Sequence, residues 1–386
     1  MLIPIRYNLR YLVVRWQRTL TIGLTFGLVV ATFVIVMSLS RGIERALQST
    51  GDRLNVVVMR KGAQSEGQSE LTREQYHLLC AAPGVARDAE DRPIAAAEII
   101  ALINRPRMNG KSANVQIRGV SANSFGLRPQ VQVVAGRKFR PGMREAMVSK
   151  SIAGRFQGFG LGDTPRMGRG SFTIVGIFDA AGTAYDSEVW ADAEEVKQEF
   201  DRDNYSCATV RARDGAGVTA LAEYVDGDKR LKMQAKDEAQ YYAEQTMTAA
   251  PVKAFAFFLA ITMAIGASFA AMNTMYANVS NRVREIGTLR IVGFSPRAIL
   301  MSFMIESVLL ALVGGVIGCL LALPMNGLAT GTTNFGSFSE IVFFFTITPE
   351  LMVKGVVFAV VMGVIGGFPP AWSAARQPLL SALRQA

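Results

Sequence analysis

Four arginines (Arg282, Arg284, Arg290 and Arg297) stand against one acid, Glu285, in the stretch Asn281–Leu300, NRVREIGTLRIVGFSPRAIL. The stretch lies between two long apolar runs. A short Arg-rich segment between membrane spans belongs on the cytoplasmic side. Its order is a charged helical turn, then Leu289 and Ile291, then Gly293-Phe294-Ser295-Pro296 as a helix break and restart. That is the shape of a docking element, held at the membrane face for a cytosolic partner to grip.

Other chemistry is thinly represented. The sequence has no GxxxxGK[ST] for nucleotide phosphates. It also lacks HExxH and GxSxG. His77 is the only histidine, which disfavours His-based hydrolysis and multi-His metal sites. Cys80, Cys207 and Cys319 form no CxxC, and a Cys80–Cys207 disulfide stays open if their domain lies outside the cytoplasm. The acids of residues 41–250 are scattered without metal-ligand spacing, so a solvated surface is expected of them. No catalytic, cofactor-binding or metal-binding residue is assigned, and the chain is read as non-enzymatic.

Glu306 is the clear ionisable residue inside an apolar run, about 13 Å along a helix beyond Arg297. A charge at that depth is costly and takes a partner. It reads as a conformational or dimer-interface contact, or as a snorkelling carboxylate. Gly314, Gly315 and Gly318 on the same run, Gly23 and Gly27 on the first, and Gly363, Gly366 and Gly367 on the last permit close helix approach.

The elements that must position these residues follow from hydropathy. The chain has 386 residues, half of them apolar, and a mean hydropathy of +0.24. Its net charge is +10, yet residues 41–250 hold 29 basic and 27 acidic side chains. The surplus therefore flanks the apolar runs, a membrane pattern and not a nucleic-acid patch. Residues 1–18 read as an interfacial amphipathic helix and 19–40 as the first span. Residues 41–250 form an α+β extracytoplasmic domain with room for two subdomains. Spans follow at 251–280, 298–323 and 350–373, the last ending at Pro369-Pro370. Residues 281–297 face the cytoplasm, and 324–349 make a short turn-rich outer loop with Phe343–Phe345 at the membrane interface. Residues 374–386 form a cytoplasmic tail. The fold class is thus four transmembrane α-helices with a large α+β domain between the first and second.

Within the domain, Thr72 and Gln75 predict a capping box for a helix reaching about Ala81. Strands are expected at 55–59, 96–103, 115–120, 131–134, 146–149, 172–178 and 207–211, with helices at 151–156, 192–200 and 237–247.

This layout resembles the MacB/FtsX-type (type VII) ABC transporter permeases. The carrying residues are Arg284-Glu285-Ile286-Gly287, Leu289-Arg290, Gly293 and Ser295-Pro296, then Glu306 and Gly314-Gly315-x-x-Gly318. Pro83-Gly84-Val85, Arg118-Gly119-Val120, Gly136-Arg137-Lys138-Phe139 and Gly160-Leu161-Gly162-Asp163 resemble that family's periplasmic core domain. The resemblance implies an ATPase-coupling helix carrying Arg282, Arg284, Glu285, Ile286, Gly287, Leu289, Arg290 and Gly293. It implies a separate ABC ATPase, two copies per complex, that uses ATP and Mg; the chain opens at the interfacial helix and is expected to recruit it. It further implies a second permease chain, most simply a homodimer, a periplasmic adaptor with an outer-membrane channel, and a bacterial inner-membrane location with both termini cytoplasmic. The implied function is export by mechanotransmission. The alternatives are a lipoprotein-releasing complex and a cell-division regulator of a wall hydrolase. No clear amphipathic hook favours the first, and the large domain argues against the second.

Overall fold

A computed structural model describes residues 10, 13–14, 16–247, 250–333 and 338–377. Most of the expected interfacial helix, residues 334–337 of the outer-loop turn and the tail beyond Gln377 lie outside the described residues. The chain folds as two units. One comprises Met1–Arg41, Val252–Leu328 and Phe345–Ala386, the other Gly42–Pro251 and Ala329–Phe344.

The first unit is helical. α1 (Trp16–Gln48) begins here and runs on into the second unit. Among the described residues, four helices are long and apolar enough to cross a membrane, over Thr19–Gln48, Phe257–Ser280, Pro296–Met325 and Pro349–Ala375. The expected stop at Pro369-Pro370 is not one, because the last helix continues through both prolines to Ala375. Membrane helices tolerate proline because neighbouring helices and Ser or Thr side chains can satisfy the freed backbone groups.

The second unit is a nine-stranded mixed sheet with helices. Its strands are β1 (Asn55–Arg60), β2 (Ala95–Pro106), β3 (Ser112–Val120), β4 (Gln132–Gly136), β5 (Glu145–Ser149), β8 (Thr173–Asp179), β9 (Glu188–Asp192), β10 (Cys207–Arg211) and β11 (Met233–Asp237). A small ribbon, β6 (Arg166–Met167) with β7 (Gly170–Ser171), stands apart from it. The order is β11-β1-β10-β2-β3-β9-β5-β8-β4. β3/β9 and β5/β8 are parallel and the other pairs antiparallel. β1 is a continuous apolar run and is buried almost throughout, as a central strand covered on both faces must be. β8 alternates buried with less buried residues and so presents one face to the core.

The helices are α2 (Arg73–Cys80), α3 (Ser124–Leu127), α4 (Lys150–Arg155), α5 (Ala193–Glu199), α6 (Gly215–Gly227) and α7 (Glu238–Met247). The Thr72–Gln75 capping box is present: Gln75 N donates to Thr72 Oγ1 at 3.2 Å and Thr72 N to Gln75 Oε1 at 2.9 Å. Asp192 caps α5. Cys80 and Cys207 are both free thiols.

The outer loop differs most from its expectation. It forms a hairpin, β12 (Ala329–Thr333) with β13 (Glu340–Phe344), that belongs to the second unit. Phe343 is 1% exposed, so it is core and not a membrane-interface anchor.

The acids of the domain also need correction. Glu66, Glu98, Glu188 and Glu238 are buried, not solvated. They surround two buried guanidiniums. Arg118 donates to Glu66 at 2.8 and 3.1 Å, Glu98 at 2.7 Å and Glu188 at 2.8 Å. Arg128 is bidentate on Glu98, donates to Thr209 Oγ1 at 3.1 Å, and lies over the Tyr185 ring at 5.0 Å. Glu238 accepts from Tyr185 Oη at 2.8 Å and Asn55 Nδ2 at 2.9 Å. Burial pushes Glu98 up, but Arg128 and Arg118 outweigh it and hold it below its ordinary 4.5. For Glu238 burial wins over Arg128, and its pKa is raised.

Removing one partner of a buried ion pair strands the other charge. Glu98→Ala should therefore cost about 3–5 kcal/mol. Denaturation of the full chain, followed by labelling of buried Cys207, measures it; a loss under about 1 kcal/mol, the scale of a surface pair, would contradict the account. Because the Glu98 pKa is depressed, its contribution is full above pH 4.5 and fades as the pH falls through the folded value.

Candidate functional site

The docking stretch starts where a span stops. α8 (Ala250–Ser280) ends one residue before Asn281, and α9 (Val283–Ile291) begins after Arg282. Gly293 follows at φ +102°, a conformation that side chains with a Cβ rarely adopt. Ser295 then caps α10 (Pro296–Ala322), accepting from Ala298 N at 3.3 Å, with Pro296 in the first helical position.

Arg282 does not face outward with the other arginines. Its side chain is 5% exposed. Nε donates to Glu285 Oε2 and Nη1 to Glu306 Oε2, each at 2.8 Å. The guanidinium also lies 5.2 Å from the Phe303 ring centre. Glu306 is thus no snorkelling carboxylate: it is 1% exposed and bound to the hinge of the docking stretch.

The inner face of α9 is apolar. Ile286 packs in one cluster with Met275 and Val279 of α8, Ile299 and Phe303 of α10, and Ala371 and Ala374 of α11 (Pro349–Ala375). Gly287 is buried beside Ile286. Leu289 and Arg290 are half-buried. Arg284, Glu285 and Gly293 are exposed, as are Ile291 and Val292, at 60% and 71%. Val292 was not singled out from the sequence. A helix carrying arginines on the same turn as two bare aliphatics presents the mixed surface that protein partners bind.

The glycines pack helices. A Cβ on Gly314 would stand 3.0 Å from Gly23 O and 3.4 Å from Gly27 N, both on α1. One on Gly318 would stand 2.6 Å from Gly27 O and Val30 Cβ. Gly315 faces α11, at 3.2 Å from Ala359 Cβ. Backbones this close leave no room for a side chain.

Among the described residues, one donor set has metal-like spacing. Ligand atoms of Glu66, Glu98 and Cys207 lie within 4.8 Å of one another. Arg118 already bridges the two carboxylates, and burial followed by the Glu66 charge holds the Cys207 thiol well above its ordinary pKa. A guanidinium in the cation position and a protonated thiol do not suit a metal.

The protein thus combines a bundle of membrane-length helices, an arginine-bearing helix tied to it through Arg282 and Glu306, and an inserted mixed-sheet domain. Residues 19–227 match the model of the MacB-like periplasmic core domain, and residues 257–379 that of the FtsX-like permease C-terminal region. The chain belongs to the MacB/FtsX-type ABC transporter permeases. The macrolide export ATP-binding/permease protein MacB of Hahella chejuensis is 27% identical over 299 residues, 72% of this chain and 44% of that protein. The probable syringafactin export ATP-binding/permease protein SyfD of Pseudomonas syringae is 27% identical over 301 residues, 72% of this chain and 43% of that one. The ABC transporter permease YknZ of Bacillus subtilis is 33% identical over 124 residues, 32% of this chain and 29% of that one. The chain therefore spans less than half the length of these relatives. Among solved structures, the periplasmic region of MacB from Actinobacillus actinomycetemcomitans aligns with a TM-score of 0.38 at 12% identity, covering 53% of this chain and 97% of that one. As a permease of this family, the chain is a multi-pass membrane protein.

The packing of this permease makes a test. Gly314→Leu should push α1 and α10 apart and lower the thermal midpoint by several degrees. Gly266→Leu, on α8 with open space around it, should not. Equal midpoints for the two variants would contradict the close approach.

Proposed function

We propose that this chain is the permease of an ABC exporter and works by mechanotransmission. An ABC ATPase, which these residues do not contain, closes on ATP and moves α9. The spans carry the displacement, and the inserted periplasmic domains open and close outside. The observation that carries this reading is the two-sidedness of α9. Its inner face is tied to three other helices by the Ile286 cluster and Arg282–Glu306, while Arg284, Glu285, Ile291 and Val292 face out. A helix built this way can pass on a push from a partner without melting. The arginine-rich ends of the spans support a cytoplasmic position for α9 and both termini. The names of the relatives, a macrolide export protein and a probable syringafactin export protein, support export over lipoprotein release or signalling. A dimer of permease chains, with two ATPases, completes the proposed assembly; an adaptor and outer-membrane channel would extend it to the cell surface.

The test uses the full chain with its co-purified ATPase in nanodiscs. Hydrogen exchange of residues 42–251 is compared in ATP and ADP. Arg284→Glu/Arg290→Glu should reduce the nucleotide-dependent difference about tenfold, a loss of about 1.4 kcal/mol of coupling. Arg284→Glu alone, at an exposed position, should act in the same direction while the spans stay folded. An undiminished difference in both variants would refute the reading.

A further inference from the structure

The hairpin between the third and fourth spans is held far more tightly than an outer loop needs. Glu340, at the start of β13, is buried to 1% exposure and clasped by two arginines. Arg107, just after β2, donates to its Oε2 from Nε at 3.0 Å and Nη2 at 2.6 Å. Arg155, the last residue of α4, donates to Oε1. Val342 N donates to Ser187 Oγ at 2.6 Å, and Asn114 Nδ2 to Phe338 O at 3.0 Å. On β12, Gly331 has no side chain, and a Cβ there would run into the Glu340 carboxylate and stand 2.6–2.7 Å from the Arg155 guanidinium nitrogens. Hairpin and domain are thus shaped for each other around one buried carboxylate.

Two physical points make this more than packing. A two-stranded ribbon is marginal alone, so this hairpin owes its order to the domain beneath it. Apolar contacts tolerate sliding, whereas a carboxylate held between two guanidiniums sets one register, because a shift would strand a buried carboxylate between two half-buried guanidiniums. Connectivity supplies the function. Spans one and two are continued directly into residues 42–251. Spans three and four reach that domain along the chain only through the hairpin. Span three is also the helix to which Arg282 rivets the docking stretch.

We propose that the β12–β13 hairpin is a force-transmitting strap, latched by Glu340 between Arg107 and Arg155, through which spans three and four move the inserted domain. Glu340 is then a positioning residue of transport. The proposal rests on the mechanotransmission reading.

The experiment uses the same nanodisc complex. Glu340→Ala should speed amide exchange in residues 338–344 about tenfold, leave β1 and β10 protected, and cut the ATP-dependent exchange difference of the domain at least about threefold while ATP hydrolysis continues. Arg107→Ala/Arg155→Ala should do the same. Adding Ser187→Cys/Val342→Cys to the Glu340→Ala chain should restore the difference once the disulfide is oxidised, because a covalent tie replaces the latch. Unchanged hairpin exchange, a full ATP-dependent difference in Glu340→Ala, or failure of the disulfide to restore it would each overturn the strap. Arg284→Glu/Arg290→Glu is run in parallel. If that variant is silent while Glu340→Ala moves normally, the strap fails and the coupling reading stands. If both move normally, the coupling reading itself has failed.

Discussion

Arg282 sits in the joint between α8 and α9, and its guanidinium has left water to reach Glu306 on α10. A charge withdrawn from solvent must be paired or it destabilises the fold by several kcal/mol. Here the requirement becomes a constraint on motion. The docking helix cannot swing away from the third span without stranding both charges in an apolar cluster. Glu285 on one side and Phe303 on the other limit the guanidinium further. The coupling we propose depends on that rigidity, since a docking helix on a loose joint would absorb displacement.

The same rule recurs in the inserted domain. Its core holds Arg118 and Arg128 among four buried glutamates, and its hairpin is latched by Glu340 between two arginines. The partners come from segments far apart in the chain: Glu66 before α2, Glu188 on β9, Glu238 on α7, Glu340 after the third span. Replacing such pairs with apolar residues can be neutral for stability, so their use points to geometry. Two of the clasps also seat segments that lead into the membrane spans. Arg128 lies 3.7 Å from Glu238 at the start of α7, and Arg107 and Arg155 lock the domain to the hairpin.

What could be read from the sequence was what local rules determine. Thr72 with Gln75 announced a capped helix, the Cys207–Arg211 strand was found with its own ends, and charge-free runs marked the spans. α6 was not legible, because GAGVTALAEYVDG carries three glycines and its start depends on Asp214 capping Gly217. The hairpin read as turns because its order comes from Ser187, Arg107 and Arg155, none of them nearby in sequence. The buried glutamates read as surface because acids usually are, and only three-dimensional pairing reverses that preference. In the docking stretch the sequence showed the arginines but not their division. Arg282 turns inward and Arg284 outward, two residues apart on one helical turn. Glu306 called for a partner, yet nothing along the chain singled out one 24 residues earlier.

The most direct test of the central claim is a double-mutant cycle on the rivet, with Arg282→Met and Glu306→Leu, read by the ATP-dependent change in hydrogen exchange of the inserted domain. If the pair transmits force as one unit, each single variant loses most of the change, because it strands a charge and loosens the joint. The double variant recovers part of it by filling the site with apolar bulk, giving an interaction energy above about 1 kcal/mol. Additive losses, or single variants that move the domain as the wild type does, would contradict the account.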